Sequence, residues 1–142
     1  MREADLDVVS DLVMLANPHV VKEKYRKLIL DVFKANPDLF FVAVVGGTVV
    51  GYAQAEVRGD RADLNDIAVA EDNQRRGIGR QLLLTVLDAV KAKGAKILLA
   101  EVHHKCASAI PFYYAHGFRI SGSVQDYFGA GHDAVIVKLV FQ

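Results

Sequence analysis

The chain has 142 residues, 52% of them apolar, with 17 basic residues balanced by 17 acidic ones. That length suits one domain over residues 1–142, with a real core but no room for separate cofactor and substrate domains. The neutral balance supplies no global field to gather nucleic acid or an anionic membrane surface, and no apolar run approaches the roughly 20 residues that span a bilayer. A lone cysteine, Cys106, rules out an intramolecular disulfide and a cysteine-rich zinc site. The N-terminal MREADLDVVSD lacks the basic start and long apolar segment of a secretory signal, so a cytoplasmic location is expected.

Residues 4–16 place Leu6, Val9, Leu12, Val13 and Ala16 at helical spacing; Pro18 interrupts, and Val21, Tyr25, Leu28, Ile29, Val32 and Phe33 form a second helical pattern. Asn36-Pro37-Asp38 marks a turn, after which LFFVAVV and TVVGYAQAEV flank Gly46-Gly47 as a hairpin, with Gly51 a candidate bulge. RADLNDIAVA predicts a third long strand, and RQLLLTVLDAVKAK a helix packing Leu83, Val86, Leu87 and Val90, ended by Gly94. Ala95–Val102 predicts an inner strand, Ser108–Ala115 a short helix, and FRISGSV and HDAVIVKLVF a closing pair of strands. This order gives a mixed α/β (α+β-like) domain, a central twisted mixed sheet flanked by helices. A dinucleotide fold fits poorly, because its GxGxxG turn follows the first strand, and the GxxxxGK[ST] of a P-loop hydrolase is absent.

The chemistry concentrates in LNDIAVAEDNQRRGIG, where a strand runs through a charged turn into a glycine-punctuated helix start. Gly77 and Gly79 add little bulk, so several amides can aim at one anion, with Gln74, Arg75, Arg76 and Arg80 as polar or cationic neighbours. The ligand implied is a pyrophosphate.

Gln74-Arg75-Arg76-Gly77-Ile78-Gly79 matches the pattern Q/R-x-x-G-x-G/A, and AIPFYYAHGF at 109–118 resembles an AIxFYxxxGF segment. Together these motifs resemble the GNAT acyltransferase superfamily over nearly the whole chain, and they imply its acyl-CoA N-acyltransferase fold. The resemblance implies acetyl-CoA or CoA as cofactor, held at Ile67, Ala68, Val69, Gln74, Arg75, Arg76, Gly77, Ile78, Gly79 and Arg80, and no metal. ILLAEVHHKCASAIPFYYAHGF is more closely similar to bacterial ribosomal-protein N-terminal acetyltransferases, which implies Glu101 as general base through water and Tyr113 as the acid that protonates the leaving thiolate. Asp63, aligned approximately with a base position of histone-type relatives, is a second candidate base, and Asp66 lies on the same strand. Their opposite parity leaves open which of them shares a side with Glu56, because a bulge would change it. Two departures stand out: Cys106 replaces an asparagine common in the family, and Pro111 requires the short helix to begin at about Ala109 or Ile110.

The expected activity is acetyl transfer to a primary amine, such as a protein N-terminus. A small-molecule amine acetyltransferase and a non-catalytic acyl-CoA-binding module are the competing readings. Residues 18–38 and 122–133 are expected to set acceptor specificity, with Tyr25, Phe33, Tyr127, Phe128 and His132 either lining the pocket or packing in the core. Adjacent His103 and His104 point to opposite faces of an extended chain, which argues against a metal and leaves a proton relay for one of them. A homodimer through the apolar AVIVKLVF segment is an open alternative to its burial within one subunit.

Overall fold

A computed structural model of the chain describes residues 2–16 and 22–141, excluding the side chains of residues 3, 15, 16 and 22–25. Pro18 and Val21, expected to break and restart the helical pattern, lie outside the described residues. Helix α1 (Leu6–Ala16) buries Leu6, Val9, Leu12 and Val13, the stripe that their spacing demands. Helix α2 (Lys22–Ala35) follows, burying Ile29 and packing Leu30 and Phe33 beside it, and Arg26 Nε meets Asp7 Oδ1 of α1 at 2.9 Å.

Strands β1 (Phe40–Val45) and β2 (Thr48–Arg58) form the expected hairpin, with Gly46 and Gly47 at φ +57° and +80°. Positive φ at both central residues is what a two-residue turn matched to strand twist requires. Strand β3 (Arg61–Val69) pairs antiparallel with β2. Helix α3 (Ile78–Ala92) buries Leu82, Leu83, Val86, Leu87 and Val90, and ends as Gly94 N–H donates to Lys91 O (2.9 Å) and Ala95 N–H to Val90 O (3.0 Å). This paired closure uses Gly94 at φ +93°, the position assigned to it in sequence. Strand β4 (Ile97–His103), a 3-10 turn and helix α4 (Ile110–Ala115) follow, and Pro111 fits in the first turn of α4, where its missing N–H is harmless. Strands β5 (Arg119–Val124) and β6 (Ala134–Val140) close the sheet.

The six strands lie in the order β1-β2-β3-β4-β6-β5, antiparallel except for the central β3/β4 pair. This is the expected mixed sheet. One face carries α3 and Tyr113 of α4 over Ala53, Ala55, Leu64, Leu98 and Ala100; the other carries α1 and α2 over Tyr52 and Ala68. Three bulges alter the alternation, one of them at Ser121 in β5. In β2 the extra residue is Val50, next to Gly51, where a bulge was expected; in β3 it is Asn65. Before the β3 bulge the even residues Ala62 and Leu64 face α3, and after it the odd residues Ile67 and Val69 do so.

Candidate active site

The central parallel pair is short. Arg61–Leu64 match Ile97–Ala100, after which β3 runs on to Val69 and β4 to His103 without pairing to each other. The parting begins at the Asn65 bulge, which bends β3 away. Backbone N–H and C=O groups on the two parted edges therefore need other partners, water or an extended polar ligand. A cleft of about 850 Å³ opens there, lined by residues 64–69 of β3, by Glu101, Val102 and His103 of β4, and by Tyr113 of α4.

One end of the cleft is the glycine turn. Arg75 and Gly77 have φ of +65° and +78°, a curl that turns successive amides to one side. The first backbone bond of α3 runs from Gln81 N–H to Gly77 O at 3.0 Å, so the amides of Ile78, Gly79 and Arg80 precede the helical ladder, and no side chain of the N-cap residue covers them. These groups fit a pyrophosphate by geometry and by helix dipole. Gln74, Arg75, Gly77, Gly79 and Arg80 line the cleft, as do Ile67, Ala68 and Val69; Gln74 Nε2 donates to Val69 O at 2.9 Å, closing the turn over the strand end. Arg76 is exposed and does not line the cleft, and the Ile78 side chain is buried in the core, leaving only its amide for the anion. A Cβ on Gly79 would stand 3.6 Å from the Phe112 ring, so its backbone lies close against α4.

The other end carries carboxylates. Because Leu98, Ala100 and Val102 face α3, alternation turns Glu101 and His103 to the opposite face. The Asn65 bulge puts Asp63 and Asp66 on that same face, since the parity of β3 switches between them. Glu56, in register with Asp63, joins them. Asp63 is buried, does not line the cleft, and accepts from Arg61 Nη2 at 3.0 Å. Burial first, and then the charge of Asp63, raise Glu101 above the ordinary glutamate range. Tyr113 is buried, its ring 5.5 Å from that of Phe112 and 5.3 Å from that of Phe118. Burial, reinforced by the charges of Asp66 and Glu101, raises its phenol, so it keeps its proton at any physiological pH. The cleft thus brings together a carboxyl group raised above its usual range and a phenol that keeps its proton.

Phe128 lines the cleft, whereas Phe33 packs edge-on against Phe40 at 5.9 Å beneath the helices; the side chain of Tyr25 lies outside the described residues. Tyr127 is half exposed, and its phenol is raised by burial and then by Glu101. Cys106 lines the cleft with its thiol raised by burial, the reverse of an activated nucleophile. Among the described residues no group of three or more His, Cys, Asp or Glu side chains is arranged to hold a metal. The sequence reading missed Phe112 and His116 as cleft residues and the direct contact of His103 with His132, since the first two look like ordinary helix residues and the pair is 29 residues apart.

Comparison with known proteins accords with this geometry. The model of the acetyltransferase (GNAT) family matches residues 6–118. The chain is similar to the [ribosomal protein bS18]-alanine N-acetyltransferases of Salmonella typhimurium (37% identity, covering 64% of each chain) and of Escherichia coli strain K12 (34% identity, covering 71% of this chain and 70% of that protein). In fold it is similar to the crystal structure of Ard1 from Thermoplasma volcanium, with a TM-score of 0.90 at 24% identity, covering 100% of this chain and 95% of that one. A parted parallel strand pair, a glycine turn at a helix start and a family match across most of the length agree: the chain belongs to the GNAT acetyltransferase family, whose members use acetyl-CoA.

Proposed function

We propose that the protein transfers the acetyl group of acetyl-CoA directly to the α-amine of a protein N-terminus. The observation that carries this reading is the convergence of Glu101 and Tyr113 on the cleft between the parted strands, opposite the glycine turn. Bound acetyl-CoA supplies the thioester carbonyl that the amine attacks. The amides of Gly77, Ile78, Gly79 and Arg80 hold the pyrophosphate end, and the open edge of β3 at Ile67–Val69 offers N–H and C=O groups to the amide-bearing arm. Holding donor and acceptor in one cleft makes the attack effectively unimolecular.

Glu101 accepts the proton that the amine must lose, through an ordered water, a task helped by its raised affinity for a proton. Tyr113 Oη–H then protonates the departing sulfur, a step that its retained proton allows. Of the carboxylates on this face of the sheet, Asp66 and Glu101 line the cleft and favour approach of a cationic amine, whereas Glu56 and Asp63 are paired with Arg58 and Arg61. An α-amine, with an ordinary pKa of about 7.7–8.0, is substantially neutral at pH 8, whereas a lysine or polyamine nitrogen near 10.4 is not, so a single carboxylate base matches the former better. The similarity to alanine N-acetyltransferases supports the same choice.

The test is release of free CoA by the purified protein with acetyl-CoA, comparing peptides bearing free N-termini with a panel of polyamines, amino sugars and amino acids. Turnover confined to the peptides is expected. Turnover confined to the small amines would reassign the acceptor, and binding of acetyl-CoA without turnover on either panel would make the protein a non-catalytic module.

A further inference from the structure

The loop between β5 and β6 forms a wall of the cleft through Phe128, and it is fastened to the end of β4 by imidazoles. His103 Nδ1 accepts from the backbone N–H of Lys105 at 3.0 Å. A neutral His103 therefore carries its proton on Nε2, and the 2.9 Å contact from that atom to His132 Nδ1 is a donation to His132. His132 in turn is unprotonated at Nδ1. His104 Nδ1 accepts from Asp133 N–H at 3.2 Å, while His104 N–H donates to Asp133 O at 2.9 Å. All three rings thus serve as Nδ1 acceptors, a role that an imidazolium cannot fill. Phe128 is held by the same assembly: its N–H donates to His132 O at 3.0 Å and its ring stacks on that of His103 at 5.4 Å.

We propose that His132 is a positioning residue, which holds Phe128 and the loop 126–133 against the cleft only while His103, His104 and His132 are neutral. The proposal rests on the acetyltransferase reading for what the wall does, but not for how it is fastened. His103 shares the cleft with Asp66, Glu101, Lys105, Cys106 and Tyr113, and the loop adds Asp126, Tyr127 and Asp133. Both loop aspartates already accept from amides, Asp133 Oδ1 from Asp126 N–H at 2.8 Å and Asp126 Oδ1 from Gly131 N–H at 2.7 Å. Protonation of a ring turns an acceptor into a donor facing another donor, so acidification that protonates any of the three loosens the fastening.

Long-range proton–nitrogen correlation on the free protein at pH 7.5 is expected to show all three rings protonated at Nε2 only, with the amides of Phe128 and Asp133 protected from exchange. Protection should fall on acidification to pH 5.5 while that of the α3 core amides stays. His132→Ala is expected to remove the protection at pH 7.5 and raise the acceptor KM about tenfold with the acetyl-CoA KM unchanged, whereas His132→Asn, which keeps an acceptor at the same place, restores both. A ring protonated at Nδ1, or loop protection in His132→Ala equal to that of the parent, would overturn the proposal. The tautomer and exchange readouts need no turnover, so failure of acetyl transfer would overturn the functional reading separately.

Discussion

Replacing Glu101 with glutamine should divide activity from stability. The amide keeps the shape of the side chain but cannot accept the amine's proton, and Asp63 cannot substitute, because it is engaged by Arg61 at 3.0 Å and does not line the cleft. The full contribution of a general base is then lost, about 10²- to 10⁴-fold in kcat, or about 3–5 kcal/mol of activation free energy. Stability moves the other way. Glu101 binds its proton more tightly folded than unfolded, so its contribution to stability is present below the unfolded-state pKa and lost as pH rises through the raised folded value. At pH 8 the carboxylate is a burden that glutamine removes, and the melting temperature of Glu101→Gln should exceed that of the parent. Asp63→Asn separates the two candidate bases: it removes the charge that helps raise Glu101, so the acidic limb of the rate profile shifts to lower pH while the rate at pH 8 is largely kept. Initial rates of CoA release between pH 5.5 and 9, with melting curves at pH 8, measure all of this. Unchanged kcat in Glu101→Gln, or a collapse at pH 8 in Asp63→Asn alone, would refute the assignment.

Tyr113→Phe keeps the ring contacts with Phe112 and Phe118, so the melting temperature should change little while kcat drops by about 10²-fold, the cost of losing one donor to developing charge. Gly51→Ala places a Cβ 3.0 Å from Ala68 O and 3.2 Å from Leu82 Cδ1, so denaturant unfolding should show a loss of about 1–3 kcal/mol, with a raised acetyl-CoA KM because Ala68 lines the cleft. Asp5 is held below the ordinary carboxylate range first by the backbone N–H of Arg2 at 3.0 Å. Asp5→Asn should therefore be less stable than the parent at pH 7, and the difference should vanish as pH falls through the depressed folded value of Asp5 in chemical denaturation.

Local signals made the hairpin, the α3 stripe, its Gly94 closure and the glycine turn legible, because each depends on residues within a few positions of one another. The carboxylate face was not. Strict alternation sets Asp63 and Asp66 on opposite sides, and only the extra residue at Asn65, which no glycine or proline announces, brings them together. The same bulge opens the cleft, so the feature that builds the site is the one that periodicity hides. Arg76 and Ile78 fit the motif, yet one side chain points to solvent and the other into the core, since a motif fixes the backbone path rather than every side chain. The His103–His132 contact joins a strand end to a loop 29 residues on, which no sequence window spans.

Whether the parted β3/β4 edges and the glycine turn hold acetyl-CoA can be read from an amide-resolved NMR titration with acetyl-CoA. The amides of Ile67, Val69, Gly77, Ile78, Gly79 and Arg80 are expected to shift together along one saturating curve, with those of β5 unmoved. Saturable binding that shifts β5 and β6 and leaves the Gly77–Arg80 amides in place would contradict that binding mode.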